Sequence, residues 1–286
     1  MLFQDIPDLT MEQFRRFAEL IYQNACISLK DSKLTLLSNR LRKRLRALEM
    51  TDFDEYHAYL RKNADEMFRF LEVVTTNESY FWRTTQNFDM LKEHLLPEML
   101  NTFPDQTLNF WSAGCSTGEE PYNLAMELID GMKRTGVFPF RIFATDISER
   151  VVSFAQQGRY HGRKLERVPK AALNRYFTPD PDREEGFIVR SDIKERIEFR
   201  VHNLFQDDAS LPNMHCIFCR NVMIYFKRAD QEKLVNRFHE RLRPGGFLVI
   251  GHSESLHTME TPFKARRLSN GIAYYRPRGI NSGGGA

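Results

Sequence analysis

The sequence predicts an α/β domain built on a largely parallel sheet, carrying a small antiparallel β insertion and preceded by an all-helical N-terminal domain. Two observations carry this reading. From about Leu108 onward, the short apolar runs LNFWSA, RIFATD, IEFRVH, HCIFCRN and FLVIGH alternate with segments of helical pattern, which is how strands and crossover helices are written in a sequence. Residues 10–75, by contrast, show helical periodicity, small polar breaks such as Thr51-Asp52 and no good strand. The 286 residues suffice for one main core and a smaller companion. The domains are therefore read as 1–75 and 76–280, with 281–286 (NSGGGA) as a flexible tail.

In the N-terminal domain the clearest helix runs roughly from Lys33 to Glu49. Leu34, Leu37, Leu41, Leu45 and Leu48 recur at spacings of three and four, one apolar stripe on a 3.6-residue helix. Basic residues fill the rest: Lys30, Lys33, Arg40, Arg42, Lys43, Arg44 and Arg46 stand against Asp31 and Glu49. Lys33, Arg40 and Arg44 flank one side of the stripe, Arg42 and Arg46 the other. Such a pole is either a solvated face or a dock for an acidic partner. In the second domain, residues 178–200, beginning TPDPDREEGFIV, break the strand–helix alternation and read as the antiparallel insertion. Near the end, FKARRLS and IAYYRP around Asn270-Gly271 read as a hairpin.

Composition narrows the class. Hydrophobic content of 42% and charged content of 28% describe a folded globular chain, and the net charge of +3 names no partner by itself. No run of 18 apolar residues appears, and the start MLFQDIPDL carries acids where a secretory leader needs cations. A cytoplasmic protein without membrane insertion is expected. Four scattered cysteines make no disulfide framework, and the single Cys216-x-x-Cys219 inside an apolar run is a weak zinc signal. No metal is expected.

The chemistry concentrates in FWSAGCSTGEEPYNLAM, residues 110–126. A strand ends at Gly114, Gly118 follows, and a helix begins near Pro121, the layout of a nucleotide site at the carboxyl edge of a parallel sheet. Glu119 and Glu120 suit the positive end of that helix. They would repel a pyrophosphate, and neither a dinucleotide fingerprint nor a Walker lysine is present. A cationic nucleoside with a free ribose diol fits better, and S-adenosylmethionine is such a ligand. Asp146, ending RIFATD, supplies the second acid expected on the ribose. Two rivals are weaker. GHSES at 251–255 imitates a nucleophile elbow but has Ser255 where that motif needs glycine. An RNA-binding role lacks any RNA-module signature, so no nucleic-acid partner is expected.

TTNESYFWR (75–83), SAGCSTGEEPY (112–122), ATDIS (144–148), CRNVMIYF (219–226) and PGGFLVIGHSE (244–254), with NRLRKRLRAL in the basic helix, together closely resemble the CheR family of chemoreceptor glutamate methyltransferases. The resemblance implies a Rossmann-like class I S-adenosylmethionine-dependent methyltransferase fold. It also implies methyl transfer to glutamate carboxylates on the cytoplasmic helical domain of methyl-accepting chemoreceptors, by a monomer. Carried over by motif, the cofactor would be bordered by Asn77, Ser79, Arg83, Gly114, Glu120, Asp146, Asn203, Leu204, Arg220 and Asn221. Arg83 and Tyr225 would act on the reacting groups, and Arg40, Arg42, Lys43, Arg44 and Arg46 would dock the receptor. Ser79 and Trp82 depart from the family's usual threonine and phenylalanine while keeping a hydroxyl and an aromatic. Tyr80, Phe81, Trp82, Tyr225 and Phe226 are expected as walls of the site.

Overall fold

The structure is a computed structural model and describes residues 6–278, so the tail 281–286 lies outside the described residues. Four helices open the chain: α1 (Met11–Ala25), α2 (Leu34–Ala47), α3 (Phe53–Leu60) and α4 (Ala64–Val74). Three of them start on a side-chain cap. Thr10 and Gln13 form a reciprocal capping box on α1, Asp52 accepts the Asp54 and Glu55 N–H groups of α3, and Asn63 accepts that of Glu66 in α4. The stripe on α2 faces inward as its spacing requires: Leu37, Leu41 and Leu45 are buried against Phe14, Phe17, Tyr56 and Phe70. Beneath them Glu66 is buried, accepts the Tyr56 hydroxyl at 2.9 Å and takes a two-pronged bond from Arg44 at 2.9 and 2.7 Å. This ion pair locks α2 to α4.

After α5 (Thr85–Met90), one wide helical turn (Leu91–Leu95) and α6 (Leu96–Thr102), the α/β domain begins. It runs β1 (Leu108–Ala113), α7 (Glu119–Thr135), β2 (Phe140–Asp146) and α8 (Glu149–Gln157). Next come β3 (Arg159–His161), α9 (Lys170–Tyr176), β4 (Phe177–Pro179), β5 (Gly186–Val189) and α10 (Ser191–Lys194). It closes with β6 (Ile197–Val201), β7 (Met214–Cys219), α11 (Arg228–Arg241), β8 (Leu242–Ile250) and the hairpin β9 (Lys264–Leu268) and β10 (Gly271–Tyr275). The main sheet has the order β6-β2-β1-β7-β8-β10-β9, parallel except for β10. Strand order reverses between β1 and β7, the place where open α/β sheets bind ligands.

Period-two alternation divides the core between the sheet's faces. Phe110, Ile142, Cys216, Phe218 and Phe247 pack with α7, while Trp111, Phe143, Ile217, Cys219 and Leu248 pack with α11. Cys216 and Cys219, three apart on one strand, therefore lie on opposite faces and cannot chelate one ion. Burial pushes both thiols up from their ordinary pKa.

The antiparallel insertion is placed differently from the 178–200 expected. Its three strands, in the order β3-β5-β4, begin at Arg159, and β6, which overlaps the end of that range, is the edge of the main sheet. The RYH of β3 is too short to announce a strand and takes its conformation by pairing with β5.

His215 on β7 is buried, and its Nδ1 accepts the Asn109 N–H at 2.9 Å. Burial, with Arg243 nearby, lowers its pKa to about 4. Between pH 6.5 and 4 the unfolded chain takes up a proton that the folded one refuses, so this contribution to stability is lost as pH falls through that window. Urea unfolding of wild type and His215→Asn should show the gap between them shrinking by about 1.4 kcal/mol per pH unit on acidification; a constant gap would remove His215 as the cause.

Candidate functional site

Parallel strands bring their carboxyl ends to one edge, and here that edge gathers residues distant in sequence. Gly114 follows β1, Asp146 ends β2, Asn203 follows β6 and Arg220 follows β7. The turn after β1 is fixed by its backbone: the Gly114 and Cys115 N–H groups both donate to Thr145 O at 2.8 Å. Gly114 has φ +84°, and a Cβ there would meet Val222 Cγ2 at 2.5 Å. The Asp146 carboxylate accepts the Ser116 and Ser148 N–H groups at 2.9 and 3.0 Å. Burial raises its pKa, and these backbone bonds hold it back.

The two glutamates of the turn have different tasks. Glu119 is fully buried and faces away from the cavity, bound by the Thr117 hydroxyl and by Lys164 from the turn after β3. Glu120 faces the cavity, where it accepts the Ser112 hydroxyl at 2.8 Å and Arg220 Nη1 at 3.0 Å. Helix α7 starts at Glu119, two residues earlier than Pro121, so both acids sit in its first turn.

A cavity of about 540 Å³ opens over this edge. Asn77, Ser79, Arg83, Gly114, Glu120, Asp146, Asn203, Leu204, Arg220 and Asn221 all line it, with Tyr225 and Arg40. The aromatic walls are Tyr80, Phe88, Phe205, Tyr225 and Phe226. Phe81 and Trp82, expected as walls, are not: Phe81 is fully buried against Tyr160 and Phe177, and Trp82 packs on the same core. The helical domain supplies a wall that sequence reasoning missed. Ile27 bridges Phe226, the Ser28 N–H donates to Tyr225 O at 2.8 Å, and Leu29, Lys30, Lys33 and Leu36 also face the cavity. The connector 26–30 has no motif to announce it; only the unpaired apolar Ile27 and Leu29 hinted at a partner.

Arg83 donates to Glu78 O at 2.8 Å and lies 5.6 Å from the Tyr80 ring centroid. No carboxylate lies within ion-pair distance of it among the described residues. Burial raises the Tyr225 pKa, against which the charges of Arg83 and Arg40 act, so the hydroxyl remains a donor at neutral pH. The basic helix divides. Arg44 is tied to Glu66, Arg42 to Asp8 and Ile6 O, and Arg40 reaches Val74 O and Thr76 while lining the cavity. Lys43 and Arg46 are exposed; with Leu36 and Asn39, at spacings of three and four, they form one outward ridge. The GHSES segment is no nucleophile elbow: no helix follows it, and Glu254 accepts the N–H groups of Asn221, Met223 and Gly251 to brace the loop after β7.

The lining also fits a bound nucleoside with an amino-acid end. Ser116 Oγ and Arg220 Nε are buried on lining residues without a partner among the described residues, the state of groups that a ligand completes. Glu120 and Asp146 would hold the ribose diol, and Arg220 Nε would meet a carboxylate.

This fold and pocket define a class I methyltransferase that depends on S-adenosylmethionine. Residues 77–272 match the family model described as CheR methyltransferase, SAM binding domain, and residues 12–75 match CheR methyltransferase, all-alpha domain. The chain belongs to the CheR methyltransferase family. It is 37% identical over 264 residues to the chemotaxis protein methyltransferase of Salmonella typhimurium, covering 90% of this chain and 88% of that one. The Escherichia coli protein of the same name is also 37% identical, over 90% of this chain and 89% of its own. Chemotaxis protein methyltransferase 2 of Vibrio cholerae is 32% identical over 94% of both chains.

Gly114→Ala places a methyl where Val222 already stands and strains a left-handed backbone. Calorimetry with S-adenosylhomocysteine should show binding weakened by at least about tenfold, on the ~1.4 kcal/mol per decade scale, in a protein that remains folded by circular dichroism. Unchanged affinity would detach this turn from the cofactor.

Proposed function

We propose that the protein transfers the methyl group of S-adenosylmethionine to glutamate side chains on the cytoplasmic helical domain of bacterial chemoreceptors, forming methyl esters for sensory adaptation. The observation that carries this reading is Arg83, a cavity-lining guanidinium with no carboxylate partner in the described protein. Its planar fork suits an incoming carboxylate. Relatives called chemotaxis protein methyltransferases support the same reading.

When bound, S-adenosylmethionine supplies a methyl group on a sulfonium, an electrophile that an anion attacks directly. A glutamate side chain, with an ordinary pKa of about 4.3, is already ionised at neutral pH, so no residue has to remove a proton. The acids at the cavity agree with that: Glu120 is held by Arg220 and Ser112, and Asp146 by backbone N–H groups. Arg83 orients the incoming carboxylate, Tyr225 offers a hydroxyl beside it, and Tyr80 and Phe226 keep water out. The enzyme would act in the cytoplasm as a monomer; among the described residues no helix is long and apolar enough to cross a membrane.

The test is transfer of radiolabel from S-adenosylmethionine to a purified receptor cytoplasmic fragment. Label should leave as methanol in alkali, as a methyl ester does, and vanish when the fragment's glutamates are replaced by alanine. Alkali-stable label, or label in RNA instead, would overturn the proposal.

The ridge of Leu36, Asn39, Lys43 and Arg46 begins at the cavity mouth, where Leu36 and Lys33 stand, and leads outward along α2. It would hold an acidic helical bundle by charge complementarity. Reversing Lys43 and Arg46 to Glu should raise KM for the receptor fragment several-fold and flatten its salt dependence, with S-adenosylhomocysteine affinity unchanged. Equal loss of cofactor binding would contradict this role.

A further inference from the structure

Arg83 stands between two residues whose backbones are both left-handed, Trp82 and Thr84, each at φ 56°. Neither is a residue type that visits this region readily, so neighbours must impose the kink. Three contacts do so. The Trp82 N–H donates to Asn123 Oδ1 at 2.8 Å, its indole N–H donates to Glu127 Oε1 at 3.0 Å, and Arg220 donates to the carbonyls of Arg83 and Thr84. Asn123 and Glu127 are one turn apart on α7, so the helix that begins at the cofactor turn grips Trp82 at two points. Lys92, 2.6 Å from Glu127 Oε2, steadies that carboxylate. Asn123 itself is only 1% exposed and lines the cavity.

We infer that Asn123 is a positioning residue for the reaction: by accepting the Trp82 N–H it holds the kink that keeps the Arg83 guanidinium at the cavity beside Tyr80. Without that bond, Trp82 relaxes toward negative φ and the Cα–Cβ direction of Arg83 turns with it. The inference rests on the reading of Arg83 as the group that orients the substrate carboxylate. It also explains why the bracket comes from α7 rather than from a loop: a rigid helix carries the cofactor turn and the bracket together, so Arg83 and the cofactor share one frame.

A double-mutant cycle tests it, with the receptor cytoplasmic fragment as substrate and saturating S-adenosylmethionine. Turnover, S-adenosylhomocysteine affinity and Tm are measured for Asn123→Ala, Arg83→Ala and the double variant. Asn123→Ala should lower kcat by about tenfold or more. In the Arg83→Ala background the same change should cost less than about twofold, because a residue acting through Arg83 then has nothing to act on. Wild-type turnover in Asn123→Ala, or an undiminished loss in the Arg83→Ala background, overturns the inference. Full turnover in Arg83→Ala alone overturns the Arg83 reading instead, which separates the two failures. Should Asn123→Ala not fold, Asn123→Leu asks the same question. Leucine fills nearly the same volume but offers no acceptor to the Trp82 N–H, so kcat should fall in a folded protein; unchanged kcat overturns the inference.

Discussion

The site depends on one buried cation. Arg220, at the end of β7, places one amino group on Glu120 in the first turn of α7 and the other on the carbonyls of Arg83 and Thr84. Its side chain is 2% exposed and lies over the Phe88 ring. A guanidinium taken this far from water is stable only with its partners in place, and removing one partner of such a pair costs roughly 3–5 kcal/mol. The strand, α7 and the segment bearing Arg83 are thus kept in register by the desolvation cost of separating them.

Much of this was legible in the sequence because it was periodic or punctuated. The leucine stripe of α2, the strand runs and the glycine turn each follow a rule local to a few residues. Asp146 was legible because a parallel strand of known start has a known end. What escaped needed partners far along the chain. Arg44 carries the same charge as Lys43, and only the arrival of Glu66 from α4 turns the first into a core ion pair and leaves the second in solvent. Glu119 and Glu120 are adjacent and chemically alike, yet Lys164 claims one and Arg220 the other. Phe81 and Trp82 flank the cavity residues Tyr80 and Arg83 in sequence but turn into the core, because the backbone at Trp82 reverses hand. Composition cannot announce that reversal; tryptophan is a poor candidate for it.

The small sheet shows the same limit from another side. Its first strand reads RYH, three residues too short to announce a strand, and exists because β5 pairs with it. The consequence reaches the glycine turn after β1. Tyr160 of β3 donates its hydroxyl to Thr117 O at 2.6 Å, and Lys164, just beyond, binds Thr117 and Glu119. A Cβ on Gly118 would meet Tyr160 Oη at 2.8 Å, so the turn's second glycine is required by contact with the insertion as well as by its own φ of +92°.

The helical domain is more than an attached arm. Tyr22 bonds Asp230 at 2.8 Å, Asn24 O receives Asn203, and Ile27 and Ser28 clasp the loop holding Tyr225. Glu72 also accepts the Arg150 N–H at 2.7 Å. An isolated C-terminal half would therefore lose the cavity wall made by Ile27, Ser28 and Leu29 and expose Tyr225 to bulk water. The helical and α/β segments thus share one cavity, and exchanging either for a foreign counterpart would mean rebuilding the clasp at residues 26–28.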